Sequence, residues 1–303
     1  MLISSFLATT PNIHSFSFTM YDTIFPADCL QFNKTTREIL IGTYYLDEAS
    51  KTKSGTVILL APDCQTSKTI KTNAVLDLSW ISQTDFITAD SKGLVNNYSN
   101  FQLVSSLKIS DSLLTSLSTF NNVTSVSRTD GSVSLIDLNT GSFSDLKVSD
   151  LEVWTIHLND SVLYTGSDDS ELKLFDTRSN MLASRTRLDM GVTSIKTNPV
   201  TGMIAVGCYD EHLRIYDPRN IKKPLLEEHI GNGGLWKLEW NEDGERIAAA
   251  CMHDGFRVLK VKEKIEILAE YKEHESLAYG VDWADENVAC CSFYDCKFSI
   301  WKP

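Results

Sequence analysis

Along most of this 303-residue chain, apolar and polar residues alternate with a period of two, the pattern of strands with one buried face. "VLDLSW" (75–80), "LTSLST" (114–119), "VWTIHL" (153–158), "VTSIKT" (192–197), "LWKLEW" (235–240) and "AYGVDW" (278–283) are of this kind. Each precedes a second pattern: small residues, a polar turn, alternating apolar residues and an aromatic or aliphatic end. "TGSDDSELKLFDTR" (165–178), "VGCYDEHLRIYDPRN" (206–220), "AACMHDGFRVLKV" (249–261) and "CCSFYDCKFSIWKP" (290–303) carry it clearly. "VSRTDGSVSLIDLNTG" (126–141), "TADSKGLVNNYS" (88–99) and "KSGTVILLAPD" (53–63) are weaker copies. The segments between turn signals are too short for buried helices, so the expected fold is all-β.

The last apolar residues of the copies are Leu60, Tyr98, Ile136, Phe175, Tyr216, Leu259 and Trp301, spaced 38 to 43 residues apart. This rhythm resembles the WD-repeat family, with Phe175–Asp176 and Tyr216–Asp217 standing where its signature dipeptide would. The resemblance implies one domain over residues 1–303, a seven-bladed β-propeller with four strands per blade. The last copy ends at Pro303 without an outer strand, while Phe16, Phe18 and Met20 alternate with Ser15, Ser17 and Thr19. The N-terminal strand is therefore expected to join the last blade and close the ring, removing an exposed edge. The polar stretch "YYLDEASKTKS" (44–54) is expected to be a solvated loop in the first blade.

Composition narrows the function classes. With 42% hydrophobic and 22% charged residues the chain reads as globular with a sizeable core, and a net charge of −12 without a Lys/Arg block argues against direct nucleic-acid binding. The start of the chain has no basic segment before an apolar run, and no stretch approaches a membrane span, so a cytoplasmic location and no membrane partner are expected. Seven cysteines is an odd number, and Cys208, Cys251, Cys290 and Cys291 lie in apolar runs, where reduced thiols act as small hydrophobes. CxxC, HExxH, GxSxG and the phosphate-loop motif are all missing, so no metal or cofactor is expected.

In a propeller the turns between second and third strands share a face with the loops leading into the inner strands. Alignment on the copies' ends places Asp130, Asp169, Asp210 and Asp295 at one turn position, where aspartate ordinarily caps backbone N–H groups. Lys92 stands there in blade two and His253, followed by Asp254, in blade six. His274, nine residues before Trp283, has the spacing of a histidine that hydrogen-bonds within a WD blade; His157 has no evident partner. A second column, one step into each inner strand, reads Leu76, Thr115, Trp154, Thr193, Trp236 and Tyr279. Its aromatic members would fill the space between blades or, exposed together, cage a quaternary ammonium by cation–π attraction. Asp168, Asp169, Asp210 and Glu211 on the same rim would favour a cation.

The second half carries a closer resemblance. "YTGSDDSELKLFDTR" (164–178), "VGCYDEHLRIYDPRN", "GGLWKLEW" (233–240), "ACMHDGFRVL" (250–259), "HESLAYGVDW" (274–283) and "CCSFYD" (290–295) resemble the diphthine methylesterase family, also named diphthine methyltransferase, the WD-repeat member of the diphthamide pathway. The resemblance is specific over residues 150–303 and faint before. It implies a carboxylic ester hydrolase that removes the methyl group from diphthine methyl ester, a modified histidine of elongation factor 2, giving diphthine and methanol. That substrate carries a trimethylammonium group. Ester hydrolysis needs a base, a nucleophile or water, and oxyanion donors. The expected catalytic residues are His253 as base and Asp254 beside it, activating a water. The expected substrate contacts are Trp154, Trp236, Tyr279, Asp168 and Asp210, with the backbone N–H groups of Gly233 and Gly234 as oxyanion donors. Cys251 and Ser276 are the alternative nucleophiles. The rival class is a non-catalytic WD-repeat scaffold that docks partner proteins in trafficking or ribosome-related regulation. A scaffold should carry a broad apolar patch on its rim, whereas an enzyme should gather unusual polar residues at one channel mouth.

Overall fold

A fully buried small or aliphatic residue stands at or just before the start of every blade's inner strand: Ala27, Val75, Leu114, Val153, Val192, Leu235 and Ala278. These anchors sit in a computed structural model that describes residues 19–303. Seven antiparallel sheets follow one another along the chain, each running from an inner strand outwards. Blade four shows the pattern, with Val153–Asn159, Val162–Ser167, Glu171–Asp176 and Met181–Arg187 in spatial order. The inner strands pack side by side, and Ala27–Phe32 of blade one touches Ala278–Ala284 of blade seven, so the ring is closed. The fold is a seven-bladed all-β propeller.

The ring closes as the sequence implies. Thr19–Asp22 pairs with Lys297–Trp301 and supplies the fourth strand of blade seven. Phe16 and Phe18, expected in that strand, lie outside the described residues. The expected loop at 44–54 is instead a β-hairpin. Tyr45–Asp47 pairs with Thr52–Leu60, because Asp47 accepts the Ala49 and Ser50 N–H groups and Lys51 takes a left-handed φ of 55°. Local turn chemistry thus orders a segment whose polarity had suggested only solvation.

The core lies between blades. Leu213 and Ile215 of blade five meet Leu238, Trp240 and Ile247 of blade six, and Leu30, Ile41 and Ile58 of blade one meet Cys291, Phe298 and Ile300 of blade seven. Polar latches join neighbouring inner strands around the channel. Gln31 accepts the Trp80 N–H at 2.6 Å, Ser118 the Leu158 N–H at 3.0 Å, Ser194 the Leu238 N–H at 2.9 Å and Asp282 the Phe32 N–H at 2.8 Å. His157, without an evident partner in the sequence, belongs to this set. Its Nε2 accepts the Thr197 N–H at 3.4 Å, and burial together with Lys196 pushes its pKa down to about 3, so it is neutral. His274 makes the within-blade bonds expected of it, to the Ser292 and Ser299 hydroxyls at 2.6 and 2.7 Å.

Candidate active site at one mouth of the channel

One backbone device repeats around the channel mouth. In six of the seven inner strands the pairing register shifts across the second residue, a β-bulge that turns that side chain out of the sheet and into the channel. The bulge residues are Asp28, Leu76, Thr115, Trp154, Thr193 and Tyr279; Trp236 holds the same place in blade six, its N–H bonded to the Ala250 carbonyl at 2.9 Å. Thr115 and Thr193 bind the carbonyls of Val153 and Leu235 in the next blades, at 2.5 Å each. That leaves Asp28, Leu76 and the three aromatics to meet a ligand.

Together these residues line a cavity of about 360 Å³, with Tyr44, Tyr209, Met252 and Phe293 completing its walls. Trp236 is central: its ring lies 4.9 Å from Tyr279 in a stacked pair, 6.0 Å from Trp154 and 6.2 Å from Tyr209. All four rings are half-buried, so faces as well as edges are open to the cavity. The Trp154 indole donates to Asp168 at 3.3 Å, which sets an exposed carboxylate at the edge of the aromatic wall.

One residue further along the inner strands, an ion pair joins blades two and six, Asp77 to Lys237 at 3.1 Å. Asp77 also accepts from the Ser116 hydroxyl at 3.1 Å and the Leu117 N–H at 3.0 Å. Burial alone would weaken the Lys237 ammonium, but Asp77 more than offsets it and the pKa is raised. Asp28 differs from every latch. Among the described residues its carboxyl has no hydrogen-bond or ion-pair partner, and it is half-buried against the cavity. Burial and the nearby Asp77 push its pKa up to about 8, with Lys237 acting in the opposite direction. The sequence reading had not placed Asp28 in the column.

The residues expected to act fall into two groups. Trp154, Trp236 and Tyr279 line the cavity, and Asp168 stands at its edge. His253 does not line it. The blade-six turn presents Met252 to the cavity, while the exposed His253 sits one residue outward in a groove with Asp254, Ser276, Tyr294 and Asp295. Nor is Asp254 placed to orient that imidazole: its oxygens bind Arg257 at 2.5 Å, Lys272 at 2.8 Å and the Asn232 N–H at 3.0 Å. Burial opposes ionisation there, yet those donors hold the carboxyl well below the usual carboxylate range. Asp254 therefore does for Arg257 what Asp210 does for Arg214 at 2.8 Å and Asp169 does for Lys173. The aspartate of blade six comes one residue later than in the other blades, which is why a histidine fell in its alignment column.

Asp210, expected at the substrate, is likewise enclosed with Arg214, its side chain only 9% exposed. Gly233 and Gly234, expected as oxyanion donors, are buried against the blade-six turn. A side chain at Gly233 would meet the Cys251 carbonyl at 2.3 Å, and one at Gly234 the Met252 sulfur at 3.1 Å, so glycine serves close packing here. Cys251 is fully buried with its thiol pushed up to about 11 by burial, and the Ser276 hydroxyl accepts the Tyr294 N–H at 2.9 Å. Cys251 is closed off from the cavity, and Ser276 lies in the adjoining groove rather than in it.

No family model matches the chain. The diphthine methyltransferase of Schizosaccharomyces pombe is 32% identical over 312 residues, covering 92% of this chain and 95% of that protein. A Dictyostelium discoideum protein named diphthine methyltransferase homolog is 31% identical, covering 76% of this chain and 77% of its own length. Among solved structures, a chain in the crystal structure of a mitotic checkpoint complex superposes with a TM-score of 0.82 over 100% of this chain and 97% of its own, at 13% identity, a likeness of fold alone. End-to-end similarity in sequence to the first of these proteins places the chain in a family: it is a member of the diphthine methyltransferases.

Proposed function

We propose that this protein acts in diphthamide biosynthesis as a hydrolase, removing the ester methyl group of diphthine methyl ester on elongation factor 2 to give diphthine and methanol. Its relatives are named methyltransferases; the reaction proposed is the transfer of that acyl group to water. The observation that carries the reading is the wall formed by Trp154, Trp236 and Tyr279 around a cavity that also holds a carboxyl without a partner. An aromatic wall suits a trimethylammonium group, and each well-placed ring face contributes about 0.5–2 kcal/mol as the cation loses water. Asp168 at the edge adds attraction for the same charge.

The ester lies on the carbon that bears the ammonium, so a cation seated on the wall brings the carbonyl to the polar side of the cavity. Lys237 is the cation there, held by Asp77, and it suits an oxyanion that develops as water attacks. His253, in the adjoining groove with Ser276 and Tyr294, is assigned to the polypeptide around the modified histidine.

The test is direct. Purified protein is incubated with elongation factor 2 bearing diphthine methyl ester, and the modified peptide is followed by mass spectrometry. Loss of one CH2 unit with release of methanol is expected; an unchanged peptide overturns the reading.

A further inference from the structure

The bulge ring holds one ionisable carboxyl, that of Asp28, and none of the described residues bonds to it. Gln31, Asp77, Ser118, His157, Ser194 and Asp282 all hold a backbone N–H of a neighbouring inner strand. Asp28 holds none, and it faces the aromatic cavity rather than the next blade. A carboxyl left without partners in a half-buried, aromatic-walled site is costly to ionise, and no structural bond offsets that cost. We propose that Asp28 is the catalytic base of this site and that the entering quaternary ammonium itself ionises it.

This rests on the hydrolytic reading above and adds the proton path. Before a ligand enters, burial and Asp77 hold the Asp28 carboxyl toward its protonated form, its pKa pushed up to about 8. The groups that bear on its charge are Asp77 of the adjoining blade two, Lys237 of blade six, Tyr44 and Tyr279 in the cavity wall, and the Cys29 and Cys291 thiols. Lys237 is already paired with Asp77, so among the described residues no unpaired cation faces Asp28 until a ligand supplies one. A trimethylammonium on the wall adds a positive charge at short range in a poorly solvated site, and Asp28 releases its proton to solvent. The carboxylate then takes a proton from water as the water oxygen bonds to the ester carbon. The oxyanion formed faces Lys237. When the C–OCH3 bond breaks, the methoxide oxygen takes the proton back from Asp28 and leaves as methanol; the new carboxylic acid loses its own proton to solvent. Only substrates carrying the cation switch on the base, which would spare ordinary methyl esters.

Two measurements test this. Calorimetric titration of the whole protein with tetramethylammonium at pH 7, in two buffers of different ionisation enthalpy, reads the protons released on binding. Wild type should release up to one proton per bound cation, the release should fade above about pH 9 where Asp28 is already ionised, and Asp28→Asn should release none. Turnover of elongation factor 2 bearing diphthine methyl ester should fall about 10²–10⁴-fold in kcat for Asp28→Asn, with partial recovery in Asp28→Glu, while KM moves far less. Wild-type binding without proton release, or no binding of the probe, overturns the coupling. Asp28→Asn turnover within about threefold of wild type overturns the base assignment while leaving hydrolysis intact. A wild-type protein that releases the proton but turns nothing over removes the hydrolytic reading, and the base with it.

Discussion

Trp236 touches Trp154, Tyr209 and Tyr279 and so holds the aromatic wall together. Trp236→Ala should weaken binding of a quaternary ammonium by about 1–2 kcal/mol, read by titration calorimetry; equal affinity would remove the cage. His253→Ala tests the neighbouring groove. It should raise KM for the protein substrate and leave kcat within about threefold, whereas a kcat loss of two orders or more would return proton transfer to His253. The three aromatics were legible in the sequence because each follows a buried aliphatic residue, Val153, Leu235 or Ala278, at the start of an alternating strand. Asp28 follows Ala27 in the same way. It escaped notice because the Tyr45–Asp47 hairpin lengthens the first repeat, so that Ala27 precedes Val75 by 48 residues where Val75, Leu114, Val153 and Val192 are 39 apart.

At the scale of elements, the blade-six hairpin shows where counting residues and counting bonds part company. Cys208 to Arg214 and Cys251 to Arg257 have equal length, yet the aspartate that holds the arginine stands two residues after Cys208 and three after Cys251. The turn accommodates the shift through Met252 and Gly255, at φ of 38° and 74°. Alignment had compared positions; the side chain needed is fixed by reach to a guanidinium that is 4% exposed. Asp254→Ala should therefore destabilise the fold by about 2–4 kcal/mol in urea unfolding, because Arg257 keeps Glu270 but loses its shortest partner. A change below about 0.5 kcal/mol would show that Asp254 is not structural. The 44–54 hairpin teaches a related lesson: its polarity was plain, but its order comes from one Asp-capped turn that hydropathy does not register.

For the whole molecule, the period near forty residues and the alternation of the inner strands were enough to give seven blades, since each repeat must bury one face on the next. Closure was legible from a last repeat that lacks its outer strand. Its consequence is measurable: removing residues 1–22 exposes Lys297–Trp301 as an unpaired edge and breaks the Asp22–Lys297 ion pair. The midpoint of thermal unfolding should drop by roughly 5 °C or more, with light scattering rising during the melt; an unchanged melt would mean that the ring does not depend on that strand.

The Asp77–Lys237 pair spans the channel between blades two and six. Both residues line the aromatic cavity and a smaller one of about 170 Å³, so the pair lies where the two meet. A propeller axis is easily pictured as an open tunnel; here an ion pair reaches across it. A ligand seated on the aromatic wall meets that pair beneath it, and a bulky protein on the rim would cover the opening by which the ligand came in. If the proposed methanol leaves by that rim, its escape waits until the protein lifts off, and the pace of a catalytic cycle then follows how quickly the two macromolecules part.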